Sequence, residues 1–257
     1  MGEQVTTYTR TELLVTVAAS LLEDGASAII GTGLPMLAGL LAQRTHAPGL
    51  LLIFEAGGVG AELPVLPISV GDSRTYHRAV LASSMHDVMS AGQAGFVDYG
   101  FLGAAQIDPH GNLNTTVIGP HDAPIARLPG SGGASDIGSF AWKTIIVMNQ
   151  DKRRFVPELD FLTTPGYLNG PGARERAGLP AGTGPYRVIT QLGLYDFDED
   201  RHMRLAATHP GVTVEQALEA SSFEIRVREP VDITAPPTPE QLRIMHELDP
   251  AGIILGR

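Results

Sequence analysis

The sequence predicts an α/β protein built on an open, largely parallel sheet with flanking helices. An apolar strand, Ala26–Ile30, ends in a glycine turn and is followed by a helical pattern over Pro35–Arg44. A second apolar strand, Leu50–Glu55, completes a β-α-β unit, which implies parallel pairing and a right-handed crossover. The run Thr144–Met148 is apolar enough for a further buried strand. Because 43% of the 257 residues are hydrophobic, we expect one domain over residues 1–257 with a large core.

The remaining elements follow from periodicity and from capping residues. Apolar residues at helical spacing predict a first helix over Thr9–Glu23, with Thr9 or Thr11 as its cap. A terminal helix is expected after Thr238, with Pro239 at the first position, which proline favours. The further predicted elements are a helix over Ala79–Ala91, strands over Val97–Ala105, Leu113–Ile118 and Arg187–Thr190, and helices over Val212–Ala220 and Thr238–Leu248.

Composition and charge exclude several classes of function. The net charge is −10 without a large basic cluster, so we expect no nucleic-acid binding. No apolar run approaches the roughly 18 residues of a membrane span, and the N-terminal residues lack the pattern of a signal peptide. The absence of cysteine removes disulfides, thiol nucleophiles and cysteine-bound zinc. We therefore expect a cytoplasmic protein.

The stretch from Leu50 to Gly58 is the first functional candidate. Five apolar residues run into one carboxylate, Glu55, and a glycine pair follows Ala56. Ligands of open α/β sheets bind outside the carboxyl ends of the strands, where Glu55 is expected to lie. The alternative is a glutamate that only ends the strand in solvent or caps the next turn, and position alone does not separate the two interpretations.

A second candidate is the glycine-rich loop Gly130–Ala134. Three glycines in four positions allow the backbone to approach a ligand and to aim successive N–H groups at a carboxylate or a thioester oxyanion. The loop lacks the Lys-Ser/Thr pair of a phosphate loop. An ordinary flexible turn explains the same composition.

Two further motifs carry polar side chains. Gln106 and Asn114 flank the turn Asp108–Asn112, and each amide either faces a crevice or satisfies buried backbone groups. The basic run Asp151–Arg154 either meets phosphates, pairs across a subunit interface or forms a solvated strand end. The eight histidines show no paired ligand spacing, so no metal site is expected. A serine nucleophile elbow and a dinucleotide fingerprint are both absent from the sequence.

Several of these motifs occur together and in order. They are Gly31-Thr32-Gly33-Leu34-Pro35, Glu55-Ala56-Gly57, Ser69-Val70-Gly71-Asp72, the GAAQIDPHGNLN stretch, GSGGA, DKRRF and TTPGYLNGPGARERAGLP. With them the chain resembles the β subunit of glutaconate CoA-transferase, within the family I CoA-transferases, over nearly its whole length. The resemblance implies the α/β fold of that subunit and an obligate α subunit, which is a separate polypeptide. It also implies a heterotetramer or larger assembly with the active site at the α–β boundary.

The resemblance assigns the nucleophile of the family, a glutamate at the end of a buried strand, to Glu55. Its carboxylate is expected to attack the acyl-CoA carbonyl and form a mixed anhydride and then a glutamyl-CoA thioester. Coenzyme A enters only as part of the substrate, and no permanently bound cofactor is expected. The further predicted site residues are Gly132, Gly133 and Ala134 as oxyanion donors, Ala56, Gly57 and Gln106 near the substrate, and Arg153 and Arg154 toward CoA.

Two departures from the family pattern leave the reaction open. Ala56 replaces the small hydroxylated residue that often follows the glutamate in glutaconate enzymes, and the loop over residues 57–67 is more apolar. Relatives on this scaffold decarboxylate 3-methylglutaconyl-CoA, and others cleave rings in steroid-derived CoA thioesters but lack the glutamate that Glu55 represents. We expect a transferase for short unsaturated dicarboxylyl-CoA thioesters of the glutaconyl type. The alternatives are a cofactor-free decarboxylase of (3-methyl)glutaconyl-CoA and a non-catalytic partner of the α subunit.

Overall fold

The computed structural model describes residues 7–256. The chain divides into two compact units. The first contains the residues up to Val88 and the segment from Ala235, and the second contains Met89–Thr234. The first unit contains α1 (Arg10–Ser20), β1 (Ser27–Ile29), α2 (Leu34–Arg44), β2 (Leu51–Ile53), β3 (Gly58–Val59), a 3-10 helix (Ser73–Tyr76) and β4 (Leu81–Ala82). The boundary between the units falls within α3 (Met85–Gln93). Compactness alone does not show independent folding, so the single domain over residues 1–257 stays a prediction.

The second unit carries most of the strands. Its elements are β5 (Tyr99–Leu102), β6 (Gln106–Ile107), β7 (Leu113–Asn114), β8 (Val117–Ile118), β9 (Ala126–Arg127), α4 (Ala134–Phe140), β10 (Lys143–Val147), α5 (Ala173–Arg176), β11 (Pro185–Ile189), β12 (Gly193–Phe197), β13 (Met203–Thr208), α6 (Val214–Glu219) and β14 (Arg226–Ile233). The chain then returns to the first unit through α7 (Pro239–Leu248).

The predicted β-α-β unit is present in the first unit. Strands β1 and β2 pair in parallel, with Ala28 opposite Leu52, and α2 connects them. The sheet continues through two antiparallel pairs, β2 with β3 and β3 with β4. Ile29, Leu52 and Phe54 are buried because the faces of these strands are covered, and α1 packs against α2 with α7 beside both.

Capping side chains set the helix ends in this unit. Thr9, rather than Thr11, caps α1, because its side chain accepts the Glu12 N–H and the Glu12 carboxylate accepts the Thr9 N–H. Thr238 caps α7 in the same manner, with Pro239 at the first helical position as predicted. The helix predicted over Ala79–Ala91 begins only at Met85, since the residues of β4 are paired with β3 instead.

The sheet of the second unit has a parallel centre. Strand β10 pairs in parallel with both β5 and β11, and the order continues through antiparallel β12 and β13 to β14, which is parallel to β13. The predicted α/β class with an open, largely parallel sheet and flanking helices is confirmed by this architecture and by the structural match below. Among residues 7–256, no helix combines the length and apolarity needed to cross a membrane. The cytoplasmic location stays a prediction.

The strand predicted over Leu113–Ile118 is divided into β7 and β8. The side-chain oxygen of Asn114 accepts the N–H groups of Thr116 (2.9 Å) and Val117 (3.3 Å), which turns the chain between the two strands. Each half then pairs elsewhere, β7 with β6 and β8 with β9.

Candidate active site

Glu55 lies at the tip of a tight turn between β2 and β3. The Gly57 N–H donates to the Phe54 carbonyl (2.9 Å), which closes a β-turn with Glu55 and Ala56 as its two central residues. The Phe54 N–H donates to the Gly58 carbonyl (2.8 Å), so three residues, 55–57, connect the paired positions. Such three-residue loops favour a glycine with positive φ at the third place, and Gly57 has φ +124°. The predicted site residues Glu55, Ala56 and Gly57 therefore share one rigid loop.

The glycine pair after Ala56 is required by close backbone contacts. A Cβ atom on Gly57 would collide with the Ser83 carbonyl oxygen and would lie 2.9 Å from the Tyr76 hydroxyl oxygen. A Cβ atom on Gly58 would collide with the Thr75 carbonyl oxygen. The turn is thus held against two later segments of the same unit, the 3-10 helix and the residue after β4.

Hydrogen bonds from those segments hold the turn. The Tyr76 hydroxyl donates to the Ala56 carbonyl. The Ser83 backbone N–H and the Ser83 hydroxyl both donate to the Gly57 carbonyl, each at 3.0 Å. Tyr76 and Ser83 were not predicted from the sequence, because contacts across 20 and 26 positions leave no local pattern.

The Glu55 carboxylate is half-buried. It makes no hydrogen bond and no ion pair with any residue of the described range 7–256. A carboxylate on a rigid turn without a cation to neutralise it keeps its negative charge available for reaction or binding.

The glycine-rich loop leads directly into a helix of the second unit. Gly130 and Gly132 have φ of +92° and +48°, and Gly133 is the N-cap of α4 with no side-chain cap. The Ala134 N–H donates to the Ser131 carbonyl (2.8 Å), so this predicted oxyanion donor is already engaged. Within the described part of the chain, the N–H groups of Gly132 and Gly133 have no acceptor. The anion-binding role stays a prediction for these two residues.

Gln106 is buried and its amide makes three hydrogen bonds. Its Nε2 donates to Asp160 (2.8 Å), while its Oε1 accepts from the Asn114 side chain (2.7 Å) and the Asp160 N–H (3.2 Å). These bonds hold the side chain in a buried network, and one of the two Nε2 hydrogens has no acceptor among the described residues. Its partner Asn114 precedes Thr115, which bonds Gly130 through both its carbonyl and its hydroxyl. Gln106 therefore supports the base of the glycine-rich loop, and its contact with the substrate stays a prediction.

The two arginines of the basic run differ in their surroundings. Asp151 accepts the N–H groups of Arg153 (2.9 Å) and Arg154 (3.1 Å), and its carboxylate also pairs with the Arg154 guanidinium. The Arg153 side chain is exposed and, within residues 7–256, unpaired. Of the two predicted CoA contacts, Arg153 keeps an available charge, whereas Arg154 is committed to the turn. Both roles stay predictions.

A family model described as coenzyme A transferase matches residues 12–220. The chain belongs to the coenzyme A transferase family. The B polypeptide of 3-oxoadipate CoA-transferase from Pseudomonas knackmussii is 40% identical over 250 residues, with 94% of each chain covered. The B polypeptide of glutaconate CoA-transferase from Acidaminococcus fermentans is 37% identical over 257 residues, with 95% of this chain and 94% of the relative covered.

Two solved structures align with almost the whole chain. The crystal structure of glutaconate coenzyme A-transferase from Acidaminococcus fermentans matches with a TM-score of 0.92 and 35% identity, covering 97% of this chain and 98% of the other. The decarboxylase AibA/AibB matches with a TM-score of 0.84 and 26% identity, covering 97% and 98%. The resemblance to the glutaconate CoA-transferase β subunit and its decarboxylase relatives is thereby confirmed, and the chain is a CoA-transferase family enzyme subunit.

Proposed function

We propose that this chain is the β subunit of a heteromeric CoA-transferase that acts on short dicarboxylyl-CoA thioesters, with Glu55 as the nucleophile. One observation carries the proposal. A half-buried carboxylate without a cation partner among the described residues lies at the tip of a turn whose backbone is held on both sides. A nucleophile needs this combination, because a paired carboxylate is less reactive and a mobile one loses its orientation.

The reaction proceeds by exchange of acyl groups on this carboxylate. A Glu55 oxygen attacks the thioester carbonyl carbon, a C–O bond forms, and the C–S bond breaks as CoA leaves as a thiolate. The thiolate then attacks the glutamyl carbonyl of the mixed anhydride, which releases the first carboxylate product and leaves a glutamyl-CoA thioester. An incoming carboxylate takes the CoA by the reverse steps. The enzyme ends unchanged, and no oxidant or reductant is consumed.

The names of the relatives support a dicarboxylate substrate. Glutaconate and 3-oxoadipate both carry a second carboxylate at the far end of a short chain, and the two relatives named for them are almost equally similar to this chain. We keep glutaconyl-type thioesters as the first substrates to test, with 3-oxoadipyl-CoA beside them. Both relatives are named as one of two kinds of subunit, which supports a separate α subunit as the partner of this chain.

A second candidate function is decarboxylation of a (3-methyl)glutaconyl-CoA. The alignment with the decarboxylase AibA/AibB favours it, and so does Ala56, whose methyl group leaves the turn without a side-chain hydroxyl next to Glu55. In that reaction Glu55 orients the substrate and forms no covalent bond, so the two candidates differ in whether an adduct exists.

The test uses the chain co-expressed with its α subunit, incubated with glutaconyl-CoA or 3-oxoadipyl-CoA and labelled acetate. Borohydride or hydroxylamine traps any enzyme-bound thioester, and mass spectrometry locates it. A trapped adduct at Glu55 together with labelled acetyl-CoA supports transfer. Release of CO₂ without an adduct refutes the transfer mechanism and supports decarboxylation.

Variants of two glutamates in the same unit sharpen this test. Glu55→Ala should lower turnover by at least about a thousandfold, the order expected when a nucleophile is removed. Glu62→Ala is the matched control, because the Glu62 carboxylate is exposed and, among residues 7–256, pairs only with Arg78. Equal turnover in the two variants would contradict every role proposed for Glu55.

A further inference from the structure

We propose that Tyr76 and Ser83 are positioning residues that hold the Glu55 carboxylate in the geometry of attack. The inference rests on the proposed function of Glu55 as nucleophile. Neither residue touches the reacting atoms in this assignment. Tyr76 acts on the Ala56–Gly57 peptide group, and Ser83 acts on the Gly57–Gly58 peptide group.

The carbonyl oxygens of those two peptide groups are both engaged. The Ala56 carbonyl accepts from the Tyr76 hydroxyl, and the Gly57 carbonyl accepts both the Ser83 N–H and the Ser83 hydroxyl at 3.0 Å. The central peptide group of the β-turn joins Glu55 to Ala56, and its rotation changes the turn type. Bonds to the Ala56 and Gly57 carbonyls hold the two peptide groups that come next, and so restrain the C-terminal side of the turn that carries Glu55.

Gly57 and Gly58 pack closely against the segments that carry Ser83 and Tyr76. No space remains for a side chain between Gly57 and Ser83 or between Gly58 and the Thr75 carbonyl. The turn consequently lies in direct contact with the backbone of Thr75 and Ser83, in addition to the two side-chain hydroxyls that bond it. Such close contacts restrict the backbone motion of Glu55 at the tip of the turn.

The support that carries Tyr76 is itself fixed. Asp72 caps the 3-10 helix, accepting the Arg74 N–H (3.0 Å) and pairing with the Arg74 guanidinium. The buried Thr75 donates its hydroxyl to the Asp72 carbonyl (2.7 Å). Hydrogen bonds from Arg74, first from its side chain and then from its backbone, lower the pKa of Asp72 well below its ordinary value, so the cap stays ionised at neutral pH.

The expected effect is on rate rather than on substrate affinity. A displacement of about 1 Å at a reacting group can cost roughly a hundredfold in rate. Tyr76→Phe keeps the ring and removes only the hydroxyl, and Ser83→Ala keeps the backbone N–H bond. Each should lower the rate of adduct formation at Glu55 and kcat by about 10- to 100-fold, with KM little changed.

The experiment measures single-turnover formation of the trapped Glu55 adduct in the co-expressed complex. Tyr186→Phe is one control, because within residues 7–256 its hydroxyl has no hydrogen bond. Ser20→Ala is the other, since that hydroxyl also donates to a backbone carbonyl, Val17, at 2.8 Å. Both controls should react at the wild-type rate. Ser83→Thr, which retains a hydroxyl, should recover most of the rate lost in Ser83→Ala.

The outcomes separate this inference from the proposed function. If the wild-type complex forms no adduct, the nucleophile assignment fails, and the positioning roles fail with it. If the wild type forms the adduct and both Tyr76→Phe and Ser83→Ala form it equally fast, the positioning inference alone is overturned. If one of these variants shows no cooperative unfolding transition, it is not folded, and the adduct rate of the variant at the other residue, Tyr76 or Ser83, tests the inference.

Discussion

The substitution Gly57→Ala tests how far the Glu55 turn depends on backbone contact. Gly57 has φ +124°, a conformation that a residue with a Cβ atom adopts at a cost of about 1 to 3 kcal/mol. The new methyl group would also collide with the Ser83 carbonyl and lie 2.9 Å from the Tyr76 hydroxyl oxygen. Overpacking of this kind costs about 1 to 3 kcal/mol. We therefore expect a loss of about 2 to 6 kcal/mol in the free energy of unfolding.

Gly25→Ala provides the matched control. Gly25 also has a positive φ, +76°, but a Cβ atom there would meet nothing within 4 Å. Its substitution should cost only the backbone strain, about 1 to 2 kcal/mol. Urea unfolding followed by far-ultraviolet circular dichroism gives both values. If the two variants lose the same stability, the close contact between Gly57 and Ser83 does not constrain the turn, and the argument for a backbone-held Glu55 is refuted.

Three further predictions concern buried charged and titratable groups. The Arg174 guanidinium is 2% exposed and donates to four backbone carbonyls and one hydroxyl, so Arg174→Met should cost at least about 3 kcal/mol in urea unfolding. Arg176→Met, at an exposed side chain with only long contacts of 3.4 and 3.5 Å, should stay within about 0.5 kcal/mol. Burial lowers the pKa of His209 in the folded protein. The contribution of neutral His209 to stability is therefore complete above the unfolded pKa of about 6.5 and is lost as pH falls below that value. His209→Gln should flatten the dependence of the unfolding free energy on pH between about pH 5 and 7. Burial raises the pKa of Glu12, but hydrogen bonds from a backbone N–H and from His246 outweigh it and leave that pKa below its ordinary value. The contribution of Glu12 is therefore complete above the unfolded value of about 4.3 and is lost as pH falls below it toward the lowered folded pKa. His246→Ala should reduce that loss, and an unchanged loss of stability at acid pH would contradict the coupling.

Much of the fold follows from local signals in the sequence. The β1-α2-β2 unit, the position of Pro239 at the start of the terminal helix and the buried strand β10 were predicted, and the cap of α1 was narrowed to Thr9 or Thr11. Each of these features depends on residues within about one helical turn or strand of each other. The predicted extents were too long at several ends, as for the helix beginning at Met85, because pairing with a distant strand overrides local periodicity.

The strands β12 to β14 were not predicted, for a related reason. They form the outer part of the sheet of the second unit, where the exposed positions of β14 mix charged and apolar side chains and the strand has no apolar run. Their strand character comes from pairing with neighbours rather than from their own composition. The glycine and proline density of the preceding segment points only to turns.

For the candidate site too, some features were visible in the sequence and others only in the tertiary structure. The sequence by itself determined that a carboxylate, Glu55, ends a buried strand and precedes two glycines, because apolar runs and glycines are visible without a partner. Only the tertiary structure decided that Gln106 is engaged in a buried network and that the Ala134 N–H is already bonded. It alone revealed that Tyr76 and Ser83 hold the turn, since hydrogen bonds between segments 20 or more residues apart form only when the folded chain brings them together.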